Sequence, residues 1–358
     1  MTSPTHLARV TRGPSSGGHR APSTLSGARR RVTEVAPGLA LAAAIAAVAT
    51  AIGHALPVVG APVVAVVAGA AVAVLRSPSE RLTPGIAVAS KKVLQASVVV
   101  LGSGLSLRQV LTVGAGSVPV LLGTLAVALV ATVAAGRALG VRGATRTLIG
   151  VGTAICGASA IAAADAVIGA DEADVSYAVA TIFTFNVVAV LAYPPIGHAL
   201  GLSQHAFGLW AGTAVNDVSS VVAAATVYGP SATSYAVIVK LTRTLAIVPI
   251  CLALAARRDR RRDGAGGRLP LRRVVPTFVV VFVAAVCADS LHLVPGSWHR
   301  GLADAAAWMI TAALAAIGLS TDLGRIRRAG LRPMALGAVA WAAVGLAGLA
   351  LQALTGSR

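Results

Sequence analysis

Apolar and polar positions fall in long blocks. Eleven apolar runs can be marked: 36–53, 58–75, 86–106, 117–136, 147–168, 175–197, 206–227, 234–256, 274–291, 303–321 and 333–353. A helix needs about 20 mostly apolar residues to cross a bilayer, so each run predicts a spanning helix. The fold class expected is an all-α polytopic membrane protein with about eleven transmembrane helices. The first two runs are short and meet at His54–Pro57, which suits a hairpin or a tilted pair as well as two spans. Residues 1–35 are rich in Ser, Thr, Pro, Gly and Arg and read as a disordered basic cytoplasmic tail. Residues 36–358 form the transmembrane domain, with 256–273 as a basic cytoplasmic loop.

Lysine and arginine test this count, because cytoplasmic loops carry the excess. With the N-terminus inside, 25 of the 30 Lys and Arg fall on one side, including Arg29–Arg31, Arg76, Arg81, Lys91, Lys92, Arg137, Arg142, Arg146 and the Arg257–Arg273 run. Arg108, Arg300 and Arg358 fall outside, as does the acidic stretch Asp171-Glu172-Asp174. The C-terminus is then outside. Loss of an adjacent pair of spans would leave the later pattern unchanged.

Composition narrows the class. The chain of 358 residues is 56% apolar and 12% charged, far from an ordinary soluble domain. A net charge of +18 on a soluble protein would suggest nucleic acid. Here the basic residues mark loops, and aromatics at 4% are too few for base stacking. Cys156, Cys251 and Cys287 are widely spaced within apolar runs, which is neither a disulfide framework nor a zinc site.

Three constellations could carry chemistry. Gly150–Ala160 (Gly-Val-Gly-Thr-Ala-Ile-Cys-Gly-Ala-Ser-Ala) places three glycines with Thr153 and Ser159 at membrane depth. Such a stretch either packs helices closely or unwinds beside a cavity and aims a half-helix N-terminus at an anion. Asn216-Asp217 puts a carboxylate mid-span, where charge is expensive and rarely faces lipid. Lys240 and Arg243 share a helix face at i and i+3. Asp217 alone cannot neutralise both, and an excess positive charge is what an anion site needs. An internal echo at an offset of 60 sets Gly152–Ser159 beside Gly212–Ser219. A weaker echo pairs Gly104–Leu107 with Gly318–Thr321. Asn186 is a further mid-helix polar residue. No Walker, Rossmann, His-Glu-x-x-His or Gly-x-Ser-x-Gly motif occurs.

These residues resemble a known family. Ala154–Ala160, Gly212–Ala224, Val239-Lys240-Leu241-Thr242-Arg243 and Ala316–Thr321 appear in the order seen in the YeiH (UPF0324) family of bacterial inner-membrane proteins, which carry a sulfate-exporter label. The resemblance covers most of the chain from about residue 36. It implies a fold related to sodium/proton antiporter and bile-acid carriers, with inverted repeats and crossed broken helices. Where that family has His before an acid, this chain has Asn216-Asp217, so a proton relay through that His does not carry over.

The expected function is a plasma-membrane secondary transporter that exports a small anion, sulfate or sulfonate, by alternating access. Lys240 and Arg243 would bind its charge, with Thr153, Ser159, Thr213 and Gly157 completing the site. Asp217 and Asn216 would set local charge or carry a coupling H⁺ or Na⁺. The rivals are a cation/proton antiporter centred on Asp217 and a non-transporting scaffold or sensor. An intramembrane enzyme would need a nucleophile–base pair, and no buried His or second acid stands near Ser159 or Cys156. No cofactor, metal or nucleic acid is expected. The expected partners are the bilayer and the anion, and a homo-oligomer is left open.

Overall fold

A computed structural model describes residues 24–55, 61–76, 78–259, 277–320 and 330–356. Most of the tail, the loop 260–273 and Thr321 of the last family block lie outside them. Among the described residues the fold is helical throughout. Seven stretches are long and apolar enough to cross a membrane. They are Thr33–Gly53 within α1 (Thr24–Ala55), Thr83–Gly102, α5 (Leu107–Ala138), α8 (Glu172–Ala199), Pro230–Ala256, Gly296–Leu319 and α15 (Leu331–Thr355). Thr83–Gly102 comprises α3 (Thr83–Val88), a π-helical turn (Ala89–Val93) and α4 (Leu94–Gly102). Pro230–Ala256 comprises α11 (Pro230–Thr244) and most of α12 (Ile247–Asp259). Gly296–Leu319 ends in α14 (His299–Leu319). Two apolar helices are shorter, α2 (Ala61–Leu75) with 15 residues and α13 (Thr277–Ser290) with 14.

Two expectations shift. Helix α1 starts at Thr24, inside the stretch read as disordered tail. Gly27 and Pro37 both disfavour a helix, yet the apolar span extends backward as helix through them. Second, the runs 147–168 and 206–227 are not single helices. The first is α6 (Gly143–Ala154) and α7 (Ala158–Ile168), and the second is α9 (Gln204–Ala214) and α10 (Val218–Tyr228).

Each of these pairs doubles back. Near its start, α6 meets the start of α8, where the Thr145 hydroxyl donates to Asp174. Near its end, a Cβ on Gly152 would lie 3.1 Å from Ile182. Sequence number rises together along both helices, so α6 and α8 are parallel and α7 returns to the end where α6 began. The same holds for α9 and α11. Gln204 Oε1 accepts from Ser231 N–H at 3.0 Å, Gly208 packs on Ala232 and Ala236, and Gly212 packs on Val239. Two re-entrant helical hairpins therefore enter the bundle, one at each end of α8, which is about 42 Å long at 1.5 Å per residue. This corrects the placement of Asp171-Glu172-Asp174. The acidic stretch shares an end of the bundle with Arg142 and Arg146, not the opposite end.

The offset of 60 recurs in the structure. Breaks fall at 155–157 and 215–217, and the second arms end at Ile168 and Tyr228, each followed by a positive-φ glycine, Gly169 or Gly229.

The remaining helices hold the hairpins. Helices α1–α4, α13 and α14 pack together through small-residue crossings. Gly38 of α1 lies against Gly85 of α3, and Gly69 of α2 lies against Ala315 of α14. In lipid, close backbone approach rather than hydrophobicity drives such packing. Helices α5–α12 and α15 share the second core. Its aromatics fix the base of the second hairpin: Phe207 stacks on Tyr228 at 3.8 Å and Trp210 on Tyr193 at 4.1 Å, with Trp210 Nε1 donating to Gly345 O at 2.9 Å.

Candidate functional site

The hairpin tips meet midway along α8. At the first tip the chain turns through Ile155-Cys156-Gly157, and Gly157 N–H donates to Gly152 O at 2.9 Å. Gly157 has φ +68° and ψ −132°, a conformation that only glycine adopts without strain. The second tip is Val215-Asn216-Asp217. A Cβ on Gly157 would lie 3.3 Å from Asp217 Cβ, so the two tips touch. Asn186, at mid-α8, accepts from Asp217 N–H at 3.3 Å and ties the second tip to that helix.

Each first arm ends with its carbonyls inside the protein. A helix leaves its last carbonyls unbonded and carries about half a negative charge there. The two buried cations answer this. Arg243 Nε donates to Ala154 O at 2.6 Å and Nη2 to Thr153 O at 3.4 Å, capping α6. Lys240 Nζ donates to Val215 O at 2.5 Å, capping α9. One turn of α11 thus closes both hairpins. Lys240 is 0% exposed and Arg243 2%, so neither reaches a surface. The expected pairing on one helix face holds, and each cation also has a structural duty.

The second arms begin differently. Asp217 caps α10, its Oδ2 accepting from Ser219 N–H at 3.1 Å and from the Ser219 hydroxyl. Helix α7 has no side-chain cap, and Ala158 and Ser159 at its start are exposed. Its N–H groups and the positive end of its dipole face an accessible space.

Several buried polar atoms at the tips have no partner among the described residues: Arg243 Nη1, the Thr153 hydroxyl and both amide atoms of Asn216. Burying such groups unpaired costs about 1–3 kcal/mol each. In a native fold that clustering calls for a ligand or water. A planar guanidinium N–H donor, an amide and a hydroxyl suit an oxyanion.

Of the anticipated site residues, Lys240, Arg243, Gly157, Asn216 and Asp217 converge here, with Thr153 on the same turn as the capped carbonyls. Ser159 sits one residue into α7. Thr213 is different, because its hydroxyl bonds Leu209 O at 2.8 Å and Trp210 O at 3.0 Å within its own helix. Lys91 and Lys92 count among the cytoplasmic basic residues in the sequence reading, although the run 86–106 already contains them. The span starts at Thr83, which makes them its ninth and tenth residues.

Residues 37–337 match the family model described as "Conserved hypothetical protein 698". The chain is 39% identical over 325 residues to a UPF0324 membrane protein of Streptococcus pyogenes serotype M6, covering 88% of this chain and 96% of the relative. A Streptococcus pneumoniae serotype 4 relative is 41% identical over 312 residues, 85% and 93% of the two chains. One from Fusobacterium nucleatum is 35% identical over 339 residues, 89% and 98%. The chain belongs to the UPF0324 family of membrane proteins.

Proposed function

We propose that the protein is a secondary transporter that moves a small oxyanion, of the sulfate or sulfonate type, by alternating access around the hairpin tips. The observation that carries this reading is the cluster of unpartnered buried groups there, Arg243 Nη1, Thr153 Oγ1 and the Asn216 amide. The uncapped start of α7 adds a positive helix end. The four helix ends at the tips offset one another, and Lys240 with Arg243 exceeds Asp217 by one charge, which an anion balances.

The eleven apolar runs become nine crossings, with α2 and α13 among them, plus two re-entrant hairpins. Removing two spans from the middle keeps the basic loops on one side, so the N-terminus stays cytoplasmic and the first hairpin opens to the cytoplasm. Hairpin plus following helix, α6–α8 and α9–α11, then form an inverted repeat. Two such halves exchange access to a shared midplane site.

The test is radiolabelled sulfate flux in proteoliposomes. The native chain is expected to move sulfate and Arg243→Ala to lose it. Absence of flux by the native chain overturns anion transport, and unchanged flux in Arg243→Ala removes Arg243 from the site. An antiporter centred on Asp217 is the second reading, because that carboxylate stands at the same tip. Gradient-driven cation flux without anion, lost in Asp217→Asn, selects it instead.

A further inference from the structure

At the second tip the neighbours of Asn216 are all engaged. Val215 O accepts from Lys240 Nζ, and Asp217 caps α10 and donates its N–H to Asn186. The Asn216 side chain lies between them, 1% exposed, and among the described residues neither its Oδ1 nor its Nδ2 has a partner. A hairpin tip does not demand an amide, since the matching position of the first tip, 60 residues earlier, is Cys156. A carboxamide offers two N–H donors and one acceptor oxygen. Both of its ends are open, so exchanging oxygen for nitrogen leaves the same need. Asn216 therefore calls for a ligand that accepts a hydrogen bond and also donates one.

The other unpartnered atoms ask mainly for acceptors. Arg243 Nη1 only donates, and the Thr153 hydroxyl donates or accepts. Lys240 and Arg243 stand one turn apart on α11, the first on Val215 O beside Asn216 and the second on Ala154 O and Thr153 O. These groups thus gather where the two tips meet. A sulfate dianion presents acceptors alone. It would serve Arg243 Nη1, Asn216 Nδ2 and Thr153 Oγ1 and leave Asn216 Oδ1 buried without a donor. It also brings two negative charges where Lys240 and Arg243 exceed Asp217 by one. An oxyanion with a single charge and an O–H of its own meets both conditions.

We propose that the tips bind a singly charged oxyanion that carries its own hydroxyl. Asn216 Oδ1 accepts from that O–H, while Arg243 Nη1 and Asn216 Nδ2 donate to the charged oxygens. Two sources supply this chemistry. One is the acidic O–H of a monoprotonated head group, as in dihydrogen phosphate or hydrogensulfite. The other is the hydroxyl of a hydroxyalkyl sulfonate. The proposal rests on the transport reading above and narrows its substrate class.

The full chain in detergent is titrated calorimetrically with probes paired by shape. Methanesulfonate and the methylphosphonate monoanion, compared at the mildly acidic pH where that monoanion prevails, have equal charge and differ by one O–H. Ethanesulfonate and isethionate make the same comparison with the hydroxyl on the tail, so the pair that shows the contrast identifies its source. The hydroxyl-bearing member of one pair is expected to bind about tenfold more tightly or better, because its partner leaves a buried acceptor unpaired. Sulfate, which serves the donors alone, should bind more weakly than that member by a similar factor. Asn216→Leu keeps the volume and removes both ends of the amide. It should bring the members of each pair to within about twofold, since the discrimination comes from the buried polar group. If that variant does not fold, the pairs on the native chain decide alone. Equal binding within both pairs, sulfate binding as tightly as the better hydroxyl-bearing probe, or a contrast that survives in Asn216→Leu overturns the proposal and leaves anion transport standing. If none of these oxyanions binds, the transport reading falls and this proposal with it.

Discussion

Replacing Gly157 by alanine tests the contact between the hairpin tips. Gly157 has φ +68° and ψ −132°, where a side-chain-bearing residue costs about 1–3 kcal/mol. The new Cβ would also lie 3.3 Å from Asp217 Cβ and 3.4 Å from Ile182 Cγ2. Neither neighbour yields easily, because Asp217 caps α10 and Asn186 holds its backbone. Two controls separate these effects. Gly143 has φ +66° with nothing within 4 Å of an added Cβ, and so reports the backbone effect alone. Gly116, within α5, has open space and a helical backbone, so alanine there is favourable by up to about 1 kcal/mol. Thermal unfolding in detergent is the assay. A shift of about 2–4 °C per kcal/mol holds for domains of 150–250 residues. Gly157→Ala should therefore lower Tm by several degrees, more than Gly143→Ala, while Gly116→Ala does not lower it. Equal shifts at Gly157 and Gly143 would refute a contact between the tips. No shift at Gly157 would refute the turn itself.

Three further outcomes are expected. Single cysteines at Glu172 and Gln204 should react with an impermeant maleimide from opposite sides of the membrane, since the hairpin bases lie at opposite ends of α8; reaction from one side removes the re-entrant topology. Asp217→Asn should keep Tm close to native, because Asn caps helices as well as Asp, whereas Asp217→Ala should lose about 0.5–2 kcal/mol; equal losses would mean that the charge, not the cap, holds α10. Gly318→Ala places a Cβ 2.3 Å from Val66 O and 2.7 Å from Ala70 N, and overpacking of this kind costs about 1–3 kcal/mol; a native Tm would show that α2 and α14 do not cross at that glycine.

Much of the architecture was legible because the bilayer imposes one dominant pattern, and apolar length alone located nearly every long helix. Direction inside the apolar runs was not legible. A hairpin of two 11-residue arms and one 22-residue span have the same length and hydropathy, and hydropathy carries no sign of a reversal. Charge placement could not expose the difference either, because two hairpins remove two crossings and leave every later basic loop where it was. The acidic stretch Asp171-Glu172-Asp174 was the one local sign, since it follows Arg142 and Arg146 without a full crossing between them, and it read equally well as an outer loop. What did show was the echo at 60 residues, because both first arms end in Gly-Thr-Ala, where close packing of Gly152 on Ile182 and of Gly212 on Val239 constrains identity rather than hydropathy.

Lys240 and Arg243 do more than offset Asp217, since each also caps a helix that ends inside the protein. Counting Lys240 and Arg243 against Asp217 treats a helix interior as electrically neutral. Once α6 and α9 end inside the protein, their free carbonyls become ligands in their own right, and both cations are engaged before any substrate arrives. Arg243 can serve both duties, because its fork donates Nε and Nη2 to the carbonyls of Ala154 and Thr153 and leaves Nη1 free. Lys240 sits on Val215 O as a point charge at 2.5 Å. The division predicts different consequences for the two at equal burial. Arg243→Lys keeps a charge near the α6 carbonyls but loses the geometry that leaves a donor over, so it should retain most of the stability and lose sulfate flux. Lys240→Arg places a larger, planar group where a compact ammonium fits, so it should lower Tm. If both exchanges behave alike in flux and in Tm, the free Nη1 of Arg243 is not what binds the anion.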